Sequence, residues 1–229
     1  MKIRYIANPD DTGWMLTVPA GVSPSVVARD KSQGMSLPWG LKVELLDVSD
    51  GREWFKILEG ADSIKNKKAS VKLKGTNDSY LLSVSPHQEA GLVKLSRKKQ
   101  QLWYGKEGPF NAFTEATNPI SLGRHDIEIP DAPHVNYYPK YSKYEQVWFR
   151  IGHSGDRYLH LGTISHGCAT VRPFIADNKT DPRFFERSDA ELGIPAGKTK
   201  FANWDDLCKY LMCRRAKDGK SVGALHVID

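Results

Sequence analysis

Short runs in which apolar and polar residues alternate dominate the first third of the chain, and turn formers separate them. Lys2 to Ile6 and Trp14 to Val18 carry the two-residue period of half-buried strands and flank the turn-forming run Asn8-Pro9-Asp10-Asp11-Thr12-Gly13. Leu41 to Val48 and Trp54 to Leu58 repeat the pattern on either side of Ser49-Asp50-Gly51-Arg52. Several short strands broken by turns predict a small barrel or sandwich. Between Gly60 and Gly75 the composition shifts to Lys, Asn, Ser and Asp, which reads as a loop. Ser83-Val84-Ser85-Pro86-His87 then breaks the periodicity and marks a boundary. A small β-domain over residues 1–88 and a second domain over 91–229 are therefore expected.

The second half keeps the strand period. Leu92 to Leu95 and Gln101 to Tyr104 bracket Ser96-Arg97-Lys98-Lys99 and read as a hairpin. Arg124 to His134 mixes charges with apolar residues and holds two prolines, which favours a loop with local hydrogen bonds over a metal site built on His125, Asp126, Asp131 and His134. Asn136 to Tyr144 is rich in tyrosine, and its sharper reading is a lid framing a site. Gln146 to Ile151 alternates into a strand. Trp204 to Arg215 predicts a helix that starts at Asn203 and carries basic residues in its last turn, where they complement the helix dipole. Leu225 to Ile228 closes the chain as a strand. The fold class expected is mainly β, with one C-terminal helix.

Composition narrows the function classes. No apolar run approaches the length that spans a bilayer, and the N-terminus lacks the apolar core of a cleavable secretory signal. The net charge of +6 gathers in two lysine-rich runs, Lys65 to Lys74 and Lys94 to Lys99. Such runs are commonly solvated faces; as a functional feature they would attract a polyanion. No helix-turn-helix, zinc-finger or RNP-like pattern accompanies them, so nucleic acid is not the expected partner. With 3 cysteines, at least one thiol stays free or pairs between chains. Cys208 and Cys213 fall on different faces of the expected helix, which disfavours a bridge between them.

Ile151 to Pro173 concentrates the candidate chemistry: His153, His160 and His166 with Cys168, punctuated by glycine. Ser165-His166-Gly167-Cys168 makes a small-residue turn that brings a thiol and neighbouring N–H groups up to a ligand. An imidazole beside such a thiol lowers its pKa from about 8.5 toward neutrality or below. Two other readings stay open, a zinc site and inert packing, although these spacings lack the paired short intervals of structural zinc motifs.

The order His-Ser-Gly, Leu-Gly, then Ser-His-Gly-Cys resembles the signature of the L,D-transpeptidases (YkuD-type catalytic domains). The turn Thr117-Asn118-Pro119-Ile120-Ser121-Leu122-Gly123 resembles the Thr-Pro-x-Gly turn those domains carry before the cleft. The resemblance covers residues 91–229 and implies a YkuD-type β-sandwich that acts on peptidoglycan stem peptides by cysteine acyl transfer, without cofactor or metal. It implies Cys168 as nucleophile and His153 as base, oriented through a backbone carbonyl of the segment beginning at Ser154. It also implies pocket and oxyanion roles for Ser165, His166 and Gly167. The family's usual Arg or Asn two residues after the cysteine is Thr170 here, and Arg172, on the same face of an extended segment, is expected to take part of that role. His160, Tyr137 and Tyr138 are expected to contact substrate. In the first domain, Leu37-Pro38-Trp39-Gly40 and the strand opening near Trp54 resemble bacterial SH3-type modules, implying an SH3-like barrel that binds wall or simply supports the fold. The expected place of action is the periplasm or cell wall. Delivery as an antibacterial effector by a signal-independent secretion system, with an immunity protein as partner, fits the N-terminus. A non-catalytic wall-binding protein, or a cysteine peptidase or amidase on other substrates, remains the alternative.

Overall fold

The computed structural model describes residues 1–75, 78–134, 142–162, 165–171 and 204–229. The chain is mainly β. In the N-terminal half, β1 (Lys2–Ile6), β2 (Trp14–Pro19), β3 (Met35–Pro38), β4 (Lys42–Ser49), β5 (Arg52–Ile57), β6 (Lys68–Lys72) and β7 (Leu81–Leu82) form one sheet in the order β3-β2-β6-β5-β4-β1-β7. A short helix, α1 (Pro24–Arg29), lies between β2 and β3, with Pro24 supplying a preset φ in its first turn. β4 and β5 join through Asp50 and Gly51, both at positive φ (53° and 68°), the conformation that matches a tight turn to strand twist. Along β5 the period is strict: Glu53, Phe55 and Ile57 are buried and their neighbours less so.

The C-terminal half contributes β9 (Gly91–Ser96), β10 (Gln101–Tyr104), β11 (Glu107–Phe113), β12 (Gly123–Glu128), β13 (Phe149–Arg150), β14 (Tyr158–Leu161), β15 (Ala169–Val171) and β17 (Ser221–Ile228), in the order β12-β17-β9-β10-β11-β15-β14-β13. The two ends of this sheet meet. Ile127 bridges to Ile151, and the Gly152 N–H donates to the Asp126 carbonyl at 2.8 Å, so the sheet nearly closes into a barrel. Helix α2 (Trp204–Met212) buries Trp204, Leu207, Cys208, Leu211 and Met212, a stripe at helical spacing. After it, β16 (Arg214–Arg215) pairs with β8 (Gln88–Glu89). The thiols of Cys168, Cys208 and Cys213 are free. Among the described residues no helix is long and apolar enough to cross a membrane.

Two segments expected as loops contain strands. In β6, charged Lys68 and Lys72 stand at the ends while Ala69, Ser70 and Val71 are buried, so the lysines mark strand ends and not solvated coil. In β12, pairing to β17 from Gly123 to Glu128 with a fully buried Ile127 overrides the charges around it. The strand expected over Gln146 to Ile151 is shorter, with Phe149 and Arg150 in the ladder and Ile151 in a bridge. The helix ends at Met212, three residues before Arg215, because the chain leaves it to pair with β8.

Polar contacts tie the halves together. Tyr144, fully buried, receives the Asn8 amide at 2.6 Å and donates to Asp11 at 2.8 Å. Glu59, 8% exposed, accepts the Lys42 N–H at 2.9 Å and the Arg215 Nε at 2.8 Å. Removing Glu59 strands a buried guanidinium. Glu59→Ala is expected to cost about 3 kcal/mol in urea unfolding, whereas Asp62→Ala, which breaks the exposed Lys220–Asp62 pair, is expected to cost under about 0.5 kcal/mol. Equal costs would sink the assignment of Glu59 as the interlocking charge.

Candidate active site around Cys168

The site is built on a parallel pair. β14 lies beside β15 with Leu159 opposite Ala169, His160 opposite Thr170 and Leu161 opposite Val171. Side chains alternate along a strand, so Leu159, Leu161, Ala169 and Val171 face the core while His160 and Thr170 share the other face. Tyr158 and Cys168 stand one alternation earlier on that same face. The turn into β15 is closed by the Ser165 hydroxyl, which donates to the Cys168 carbonyl at 2.8 Å. Gly167 adopts φ +86°, and a Cβ there would lie 3.1 Å from Asn118 on a backbone path that side-chain-bearing residues avoid. His166 projects from this turn into solvent.

Cys168 is 8% exposed. Its Sγ accepts the Tyr158 N–H at 3.4 Å and lies 3.9 Å from the Asp156 carbonyl, which its proton can reach. Burial pushes the thiol pKa up, opposed by the Tyr158 N–H and the positive charge of Arg157. Arg157 is fixed by the Pro119 carbonyl at 2.7 Å and the Asn118 side-chain oxygen at 2.6 Å. The Thr117–Gly123 turn is thereby drawn against the thiol segment.

His160 has a defined tautomer. Its Nδ1 lies 3.0 Å from the Leu161 carbonyl, which can only accept, so Nδ1 carries the proton. Nε2 then offers a lone pair, which accepts the Thr170 hydroxyl at 3.2 Å. The ring stacks on Trp148 at 4.3 Å, Trp148 stacks on His134 at 4.6 Å, and Tyr158 meets both Trp148 and His134 edge-on. Burial depresses the His160 pKa to about 4.

His153 is placed differently from the expectation. Its Nδ1 lies 2.7 Å from Glu128 and its Nε2 3.0 Å from Asp126. Two carboxylates on one ring favour the imidazolium, and the Glu128 hydrogen bond leads in raising its pKa. No hydrogen bond joins His153 to Cys168 among the described residues. Barrel closure is the reason: pairing Ile151 with Ile127 delivers residue 153 to the carboxylates of β12. Ser154 is exposed in the same loop. The carbonyl-oriented imidazole expected at His153 is found at His160, expected only to contact substrate. Arg172, Tyr137 and Tyr138 lie outside the described residues. Trp148 and Arg157 escaped the sequence reading, since only the folded sheet stacks Trp148 on His160 and sets the charge of Arg157 near the thiol.

Asp126, His153 and Asp218 are the described groups whose donor atoms, all within 4.8 Å of one another, could share a cation. Asp218 is already engaged by the Lys220 and Ser221 N–H groups and the Ser221 hydroxyl. No family model, curated protein or solved structure matches this chain.

The two histidines are expected to titrate in opposite directions from 6.5, His160 near 4 and His153 above its ordinary value, as followed by imidazole NMR. The fold refuses a proton at His160 that the unfolded chain accepts, so acid erodes stability between about pH 6.5 and 4. His153 works oppositely: its contribution is complete below pH 6.5 and lost as pH rises through its folded pKa. His160→Gln should flatten the acid limb of stability against pH and His153→Gln the alkaline limb; the reverse assignment would refute this electrostatic picture.

Proposed function

We propose that the protein is a cysteine acyltransferase of the L,D-transpeptidase kind acting on peptidoglycan tetrapeptide stems. One observation carries the reading. Cys168 sits at a Ser-His-Gly-Cys turn on the same sheet face as His160, whose Nδ1–H is held by the carbonyl of the next residue and whose Nε2 keeps a lone pair. Across adjacent strands the two side chains are one alternation apart, a diagonal of about 8 Å between backbone positions, and a rotamer change of the thiol away from the Tyr158 N–H narrows that gap.

Thiol and imidazole are both neutral near pH 7, which fits proton transfer during attack better than a standing ion pair. Sγ loses its proton to His160 Nε2 and bonds to the carbonyl carbon of the amide before the terminal D-alanine. Backbone N–H groups at the Gly167–Cys168 turn take the oxyanion, a contribution of about 3–4 kcal/mol in comparable sites. The C–N bond then breaks, and the leaving amine takes the proton back from His160, leaving a thioester on Cys168. A second stem's amine, water or a free D-amino acid resolves it. Thr170 holds the base's lone pair in the resting state. His153, bound to two carboxylates, shapes the loop that carries Asp156 and Arg157 and is not the base in this reading. The site of action is then the periplasm or wall, and effector delivery with a cognate immunity protein belongs to the same proposal.

Purified tetrapeptide muropeptides incubated with the protein and analysed by mass spectrometry should yield tripeptide, dimer or exchanged products. Cys168→Ala should abolish them and His160→Gln should slow them by about 100-fold or more, while His153→Gln should stay within about threefold. A rate that collapses with His153 and survives loss of His160 would return the base to His153. Absence of any Cys168-dependent product would remove the activity.

A further inference from the structure

The N-terminal sheet has a gap in its ladder. β2 and β6 pair only at Val18–Ser70 and Pro19–Ala69, and beyond these residues a cleft of about 750 Å³ opens between them, floored by α1. The Ala20 N–H bonds to the Lys68 carbonyl, so the even-numbered residues of β2 turn their backbone groups toward β6. The Leu73 N–H bonds to the Gly51 carbonyl on the β5 side, so Lys72 turns its N–H and C=O toward β2. Leu16 and Lys72 would form the next pair of this ladder, yet the register stops short of them. No register pair joins their backbone groups, which face the cleft, the condition that invites an added strand.

The cleft is charged as well as open-edged. Lys31, Arg52, Lys72 and Lys74 line it, with Asp10 as the single acid. Arg52 is opposite Lys72 in the β5–β6 register, and Lys74 follows Lys72 by two, so the three cations form a row on one face. Arg52 is held by the Ser70 hydroxyl at 2.9 Å and the Ser70 carbonyl at 3.1 Å, and burial alone, without a carboxylate, shifts its pKa downward. None of the four cations forms an ion pair among the described residues. Leu16, 40% exposed, and Val27 supply apolar contact beside the row.

We propose that this cleft binds an extended polypeptide segment carrying carboxylates at alternate positions. Its backbone takes up the cleft-facing groups of Leu16 and Lys72, its acidic side chains stand over Arg52, Lys72 and Lys74, and its alternate apolar residues meet the other face. The inference is independent of Cys168 chemistry.

The test uses the full chain and the probe acetyl-Val-Glu-Val-Glu-Val-Glu-Val-amide. Binding is followed by fluorescence anisotropy of a labelled copy and by amide NMR shifts. Saturable binding with shifts at Leu16 and Lys72 is expected, weakened tenfold or more by Lys72→Glu, an exposed position that leaves the core untouched. Replacing every Glu of the probe by Gln should weaken it to a similar degree, and N-methylation of alternate probe residues should abolish it. Undiminished binding of the N-methylated probe would mean charge attraction without strand pairing and would overturn the proposal. So would shifts confined to the Lys94–Lys99 run, or a muropeptide occupying the cleft that the acidic probe fails to enter.

Discussion

The parallel pairing of β14 with β15 is the constraint on which the candidate site depends. Only residues 162–168 link two adjacent parallel strands that usually require a far longer crossover. A connection that short has to turn tightly, and the Ser165 hydroxyl on the Cys168 carbonyl and the positive φ of Gly167 are how it does so. The same register assigns four side chains, Tyr158, His160, Cys168 and Thr170, to one face. Slipping it by one residue would send the histidine to the face now held by Leu159 and Leu159 to the face that carries the thiol.

Barrel closure is the second organising contact. Joining Ile127 to Ile151 removes an exposed sheet edge, and the loop that follows is held over the carboxylates of β12. The consequence is a division of labour among histidines with opposite environments. His153, half-exposed between Glu128 and Asp126, is pushed toward its charged form; His160, buried against Trp148, is held neutral. Neighbouring imidazoles are pushed apart by desolvation in one case and anions in the other. A neutral ring with a fixed tautomer suits proton acceptance, and a charged one suits anchoring a loop.

The two halves differ in how their sheets are finished. The C-terminal sheet meets itself, whereas the N-terminal sheet leaves β2 and β6 parted, with lysines and an arginine along the opening. Between them, Glu59 with Arg215 and Tyr144 with Asn8 and Asp11 link residues far apart in sequence. Buried charge of this sort adds little net stability when intact but is costly to break, which favours one relative arrangement of the halves over others.

The alternating pattern determined several strands directly: β1, β2, β4, β5 and the β9–β10 hairpin fall where their apolar period places them, and the stripe from Trp204 to Met212 determined the helix. The Ser-His-Gly-Cys turn was equally legible, because small residues and a glycine at positive φ act over a few bonds. β6 and β12 were hidden by their own charges, since lysines at strand ends and acids at a sheet seam resemble coil until their neighbours are known. The choice between His153 and His160 was beyond the linear chain altogether. Spacing along a backbone says nothing about which strands lie parallel or which sheet ends meet. Those two facts, settled by burial of Ile127, Leu159 and Ala169 in a shared core, decide which imidazole shares a sheet face with the thiol and which meets two carboxylates.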